Sequence, residues 1–335
     1  MTGDPTPTDA GGELLVPAPA AGARPDPRVL PSSPVTRFAP APTGYLHLGH
    51  LVNAIYVWGI ARAAGGRVVL RIEDHDRQRS RPEYEAAILD DLARLGLVPD
   101  EPDHGAFAGP TPYRQSDAAS AYQAALDGLR ADRLVYACSC SRATFADWEA
   151  EHGLPWRGIG CPGACRARGL DEALAWAASP ATPGLGLRVA IGAGSERWVD
   201  LLAGPMGDEP AAGGDLLVRD RVGNWTYAFC VVVDDLRHRI DLVVRGRDLL
   251  EATPVQLRLA RLLGRPVPPQ FLHHPLVRRA SGQKLSKADR DTAVREMLDA
   301  GATPGELLGR AARLAGLRDH ETPIAADALE ELFAR

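Results

Sequence analysis

Two histidines, His47 and His50, close the stretch Arg-Phe-Ala-Pro-Ala-Pro-Thr-Gly-Tyr-Leu-His-Leu-Gly-His that begins at Arg37. Three positions apart on a helix, they share a face, and either imidazole can donate to a phosphate oxygen. Far downstream, Lys284 and Lys287 lie in Gln-Lys-Leu-Ser-Lys-Ala and are the only lysines in a chain with 38 basic residues. Arginine serves everywhere else, so this position calls for a compact, flexible ammonium, suited to neutralising a triphosphate as pyrophosphate leaves. A third cluster is acidic, with Glu73, Asp74 and Asp76 in Arg-Ile-Glu-Asp-His-Asp. The fourth is sulfur: Cys138-Ser-Cys140, twenty residues, then Cys161-Pro-Gly-Ala-Cys165. Two such pairs predict one tetrahedral zinc held by four thiolates at about 2.3 Å, a closed set that supports the fold and leaves no position for chemistry. Cys230 stands apart as a small buried hydrophobe.

These groups need elements to position them. Val35 to Ala39 reads as a strand that Pro40 and Pro42 forbid from continuing, and Leu48 to Ala64 as a helix ended by Gly65-Gly66. The strand-to-helix turn therefore points unpaired N–H groups and a positive dipole end at whatever binds, which favours phosphate, and Gly44 and Gly49 admit a close ligand. Arg67 to Ile72 returns as a buried strand, completing a βαβ unit, so the acidic cluster falls at a strand's carboxyl end, where open α/β sheets bind ligands. Pro82 to Leu95 and Tyr113 to Ala131 are amphipathic helices, and residues 166 to 222 are short strands and loops. Trp225 to Asp234 and Asp241 to Arg245 read as strands, followed by a helix to about Leu263 and further helices between Thr292 and Arg335. Arg245, at a strand end beside Gly246, suits a carboxylate clamp.

The 335 residues, 45% hydrophobic, suffice for one large core or two modest ones. No apolar run approaches the about 18 residues of a membrane span, and no secretory leader opens the chain, so a cytoplasmic protein is expected. A net charge of −5 supplies no global attraction to nucleic acid, so an RNA contact must be local. Residues 1–33, rich in Pro, Ala and Gly, are expected to be a disordered extension without a catalytic role.

The string from Arg37 to His50 resembles the histidine signature of the class I aminoacyl-tRNA synthetases in its glutamyl form, and Lys284-Leu-Ser-Lys287-Ala resembles their lysine signature. The resemblance extends over about residues 35 to 300. It implies a Rossmann-type, doubly wound parallel sheet with an inserted zinc-containing α+β domain and a short helical C-terminal segment. The expected divisions are a first catalytic half at 34–131, the insertion at 132–224, a second half at 225–280, and the lysine loop with terminal helices at 281–335. It further implies ATP accompanied by Mg2+, bound through His47, Gly49, His50, Lys284 and Lys287. L-Glutamate would be held by Arg37, Ala41, Glu73, Tyr227 and Arg245, with Glu73 on the ammonium; which arginine takes the side-chain carboxylate is left open. Ala41 departs from the usual serine, removing a hydroxyl contact at a cost of about 1 kcal/mol.

Only 48 residues follow Lys287, too few for a separate anticodon-reading domain. Together with the Arg245 to Pro254 string, this resembles the shortened members that transfer glutamate to the queuosine base of tRNA(Asp), as a monomer. Alternatives are a compact enzyme charging a tRNA 3′ end, a non-catalytic tRNA-binding paralogue, and a zinc-centred nucleic-acid module.

Overall fold

The computed structural model describes residues 15–16, 23–141, 144–145, 150, 160–161, 163–279 and 292–334. After a two-residue strand β1 (Leu15–Val16), the chain forms β2 (Val35–Phe38), α1 (Leu48–Ala63) and β3 (Arg67–Leu70). β2 and β3 pair in parallel from Val35↔Arg67 to Phe38↔Leu70, so the expected βαβ unit is present. Apart from its N-terminal histidines, α1 is apolar on nearly every side because it is covered on both. The strands flank one face, while a helix at Pro304–Leu314 and a 3-10 segment at Ala326–Leu332 cover the other. At Gly59 the cover is so close that a Cβ would fall 2.4 Å from the Phe333 ring.

Next come α2 (Pro82–Arg94), α3 (Ala119–Ala131) and β4 (Val135–Cys138), then α4 (Ala164–Arg168) and β5 (Gly186–Val189). α3 begins later than the expected Tyr113, because a 3-10 turn at Gln115–Ala118 precedes it. β6 (Glu196–Asp200), β7 (Gly204–Asp208) and β8 (Leu216–Arg219) follow. β4, β5 and β8 make a three-stranded antiparallel sheet.

The run Trp225 to Asp234, expected as a strand, is instead α5 (Tyr227–Arg237). Its continuous apolar stretch has no period that separates a buried strand from a buried helix, and three consecutive valines biased the reading toward strand. The polar residues had the correct period: Tyr227 recurs at Asp234 and Asp235, seven and eight positions on, one face of a helix. β9 (Leu242–Gly246), α6 (Thr253–Leu262), β10 (Gln270–His274) and β11 (Arg278–Arg279) complete the second half. α7 (Val294–Asp299) and α8 (Pro304–Leu314) follow.

β9 pairs in parallel with β10, β10 with β6, and β7 lies antiparallel outside β6. β9 also stands beside β2, with Asp241 N–H donating to the Val35 carbonyl at 3.0 Å. The order β3-β2-β9-β10-β6 places chain running in opposite directions of progression on either side of the β2/β9 seam, a topological switch point.

Residues 23–33 do not fit the expected disordered extension. Ala23 is fully buried, its carbonyl accepts the Tyr56 hydroxyl at 2.5 Å, and Arg24 donates to the Leu317 carbonyl at 3.1 Å. The Ala23 carbonyl on the buried Tyr56 hydroxyl and the Leu317 carbonyl on Arg24 hold this segment where its composition offers few apolar side chains. β1 pairs antiparallel with β11. No helix among the described residues is long and apolar enough to cross a membrane.

Candidate active site

A cavity of about 540 Å³ opens where β2 and β9 end. Its walls include Arg37, Ala41, His47, Gly49, His50, Glu73, Tyr227 and Arg245, residues separated by up to about 200 positions in sequence. Lys284 and Lys287 lie outside the described residues. The described chain on both sides of them is at the cavity: Leu276 and Val277 line it, and Val294 N–H donates at 2.8 Å to the carbonyl of Leu46, immediately before His47.

His47 caps α1. Its Nδ1 accepts the Gly49 N–H at 3.1 Å, and the His50 Nδ1 accepts the His47 N–H at the same distance. With both Nδ1 atoms accepting, each neutral imidazole carries its proton on Nε2, giving a pair of N–H donors with ring centroids 3.9 Å apart. A Cβ at Gly49 would lie 2.9 Å from His47 Cε1, so a side chain there would displace the cap.

Behind the acidic string lies a buried charge network that sequence reasoning missed. Arg71, fully buried, donates to Asp235 at 2.7 Å and to Glu73 at 2.9 Å, and its Nε lies 3.9 Å from Asp234. Arg37 donates to Asp235 at 3.2 Å and to the Val244 carbonyl at 3.0 Å. Asp234 also accepts from Tyr122 at 2.8 Å, Gln115 at 3.0 Å and Arg237 at 2.7 Å. Three guanidinium groups thus face three carboxylates. Burial opposes ionisation of Asp235, but Arg37 and Arg71 outweigh it and hold the carboxyl below its ordinary range. The available signal was Asp234-Asp235 at the end of an apolar run: buried acids require paired cations.

Arg245 is held differently. Its Nε donates to His273 Nε2 at 3.0 Å, and its terminal nitrogens donate to Gln256 at 2.6 Å, Thr253 at 2.8 Å and the Leu249 carbonyl at 3.3 Å. Every one of those acceptors is uncharged, and burial lowers the pKa of the guanidinium from its ordinary value. His273 in turn contacts Asp200 through Nδ1 at 2.6 Å. Tyr227 borders the same wall, its hydroxyl pKa raised by burial and then by Glu73.

The cysteine expectation is met in space. Cys138, Cys140, Cys161 and Cys165 bring their sulfurs within 4.8 Å of one another, with Cys140 3.7 Å from Cys161 and 3.4 Å from Cys165. Bonds of about 2.3 Å to a tetrahedral ion give edges near 3.8 Å, so the donor set fits zinc in size and chemistry. Arg188 Nε donates to Cys138 Sγ at 3.0 Å, the outer contact that steadies a thiolate. Cys230 is buried elsewhere, in α5.

Residues 34–330 match the family described as tRNA synthetases class I (E and Q), catalytic domain. A glutamyl-Q tRNA(Asp) synthetase from Symbiobacterium thermophilum is 42% identical over 299 residues, 89% of this chain and 91% of that protein. One of the same name from Rhodobacter capsulatus is 38% identical over 82% of this chain and 98% of its own length. Among solved structures, a glutamate–tRNA synthetase from Elizabethkingia anophelis superposes with a TM-score of 0.70 at 26% identity, over 90% of this chain. The chain spans 65% of that structure's length.

Proposed function

The chain belongs to the class I tRNA synthetases of the E and Q group, and from that premise we propose that it activates glutamate with ATP and transfers it to the queuosine base of tRNA(Asp). The observation that supports this most directly is the single cavity at the β2/β9 seam. It gathers an imidazole pair, a carboxylate and two differently held arginines from distant segments.

In the first step an oxygen of the glutamate α-carboxylate attacks the α-phosphorus of ATP, forming glutamyl-adenylate and expelling pyrophosphate. The Nε2–H groups of His47 and His50 stabilise charge on the α-phosphate, and Lys287, seconded by Lys284, meets the departing pyrophosphate. ATP would enter as its Mg2+ complex, which would lower the charge on its phosphates. Glu73 has Oε1 on Arg71 and uses Oε2 to accept from the substrate ammonium. In the second step a hydroxyl of the queuosine ring attacks the acyl carbon, its proton passing to the departing phosphate or to solvent, and AMP departs with the bonding pair.

The γ-carboxylate stays anionic throughout both steps, so it requires a cation not already neutralised. Arg245 meets that requirement, whereas Arg37 shares Asp235 and is the partner left for the reacting carboxylate. Ala41 offers no side-chain hydroxyl, so a lower affinity for glutamate is expected at this position. Cys138, Cys140, Cys161 and Cys165 would hold a zinc ion, and four thiolate ligands would leave it no open position for chemistry, so it would support the insertion.

The names of the relatives at 42% and 38% identity support queuosine as the acceptor. The test is glutamate-dependent exchange of pyrophosphate into ATP without RNA, followed by transfer of labelled glutamate to queuosine-containing tRNA(Asp). Exchange should occur and be lost in Lys287→Ala. Charging of unmodified tRNA(Glu) with no label on tRNA(Asp) would replace this acceptor by a tRNA 3′ end; absence of exchange would reject activation altogether.

A further inference from the structure

The buried contacts behind Arg245 form a line across the sheet. Arg245 on β9 and His273 on β10 are direct register partners, and the next strand, β6, ends at Asp200. Three side chains from three adjacent strands thus connect as guanidinium, imidazole and carboxylate, at 3.0 and 2.6 Å. His273 and Asp200 lie behind Arg245 and are not among the cavity's lining residues. We propose that Asp200 and His273 are positioning residues for glutamate recognition: they fix Arg245 through a neutral acceptor, so that it is aimed yet left with its charge for the substrate's carboxylate. The inference rests on the reading of Arg245 given above.

The chemistry determines the proton positions. Arg245 Nε always donates, so His273 Nε2 must be the lone-pair nitrogen, and the imidazole proton sits on Nδ1, donated to Asp200. Asp200 is locked for that task by the backbone N–H groups of Leu202 and Ala203, each at 3.0 Å, and of His273 itself at 3.2 Å. A carboxylate placed directly on Arg245 would orient it equally well but would neutralise it. An imidazole held in one tautomer orients without compensating, which is the logic of an orienting acid behind a histidine.

The groups facing His273 agree with a neutral ring. Arg245 on β9 and, at longer range, Arg37 on β2 disfavour a second proton, Asp200 on β6 favours it, and Thr253 on α6 adds an uncharged contact at 3.2 Å. Burial is the largest influence, and the net effect is a pKa below the ordinary histidine value.

Pyrophosphate exchange with the full-length, metal-loaded protein tests this, with KM for glutamate and for ATP measured separately. His273→Leu and Asp200→Asn should each raise the glutamate KM by about tenfold or more while the ATP KM stays within about twofold. His273→Gln presents an amide oxygen where Nε2 stood and should recover most of the loss. In the wild type the glutamate KM should climb as pH falls below the imidazole range, a limb that His273→Gln lacks. Should His273→Leu fail to fold by circular dichroism, the Gln and Asn variants decide through the same KM ratio. An unchanged glutamate KM in folded variants, equal rises in both KM values, or no advantage of Gln over Leu overturns the positioning role while leaving activation intact. A wild type without glutamate-dependent exchange overturns both.

Discussion

Arg37 and Arg245 reach one cavity from neighbouring strands and are treated in opposite ways. Arg37 belongs to a network in which three arginines answer three acids, centred on Arg71 with no exposed surface. Arg245 is surrounded by an imidazole, an amide, a hydroxyl and a carbonyl, none of them anionic. In the first arrangement each guanidinium has a carboxylate partner within the protein, and the pairs link β2, β3 and α5. The second has no carboxylate among its hydrogen-bond partners in the described residues. Burial is common to both arginines; the charge of their hydrogen-bond partners is what differs.

The contrast is broken most severely at its centre. Arg71→Met strands Glu73, Asp234 and Asp235 without their shared cation, and should cost about 3–5 kcal/mol in denaturant unfolding. A loss below about 1 kcal/mol would show that the network is not structural. Arg245→Gln should do the reverse, leaving unfolding nearly unchanged while kcat/KM for glutamate falls about 100-fold, equivalent to about 3 kcal/mol. Comparable stability losses in both variants would erase the distinction.

The cysteine cluster, a four-thiol donor set that fits a zinc ion, adds a third treatment of charge. Removing zinc with a chelator, or Cys161→Ser, should lower the melting temperature by several degrees and release one equivalent of metal. Pyrophosphate exchange at a temperature where the protein stays folded should change by less than about threefold.

The smallest effect concerns pH, and its sign differs between sites. Asp235 and Asp200 have folded pKa values below the unfolded carboxylate value, so their stabilisation is present above that value and is lost as pH falls through the folded one. Asp91 is the opposite case: fully buried, its oxygens lack a hydrogen-bond partner among the described residues, and burial raises its pKa to about 6. Its protonated form is the one the fold prefers, so stability is retained below the unfolded value and lost as pH rises through about 6. Asp91→Asn should therefore stabilise the protein by roughly 1 kcal/mol at pH 8 and by almost nothing at pH 4, read from paired unfolding curves.

What could be read from the chain follows from how local each signal was. The first βαβ unit was legible because Pro40, Pro42 and Gly65-Gly66 mark its ends and the apolar periods between them are clean. The cysteines were legible despite unusual spacing because thiols have few other uses in such a pattern. α5 was misread because its buried valines hid the period that Tyr227 and Asp234 preserve. Asp200 and His273 escaped notice for another reason: Asp200 meets His273 across 73 residues of chain and His273 meets Arg245 across 28, and strand order is what brings them together. The packing of residues 23–33 was equally invisible, since it depends on backbone carbonyls that composition does not register.

The pairing of Leu15–Val16 with Arg278–Arg279 makes the beginning of the chain a clamp on the last strand before the lysine signature. An N-terminal affinity tag, or a shortened version starting at the family-matched region, is therefore not a neutral choice of expression strategy. The shortened version lacks the partner of β11, so its stability and kinetics would be those of a chain without this pairing.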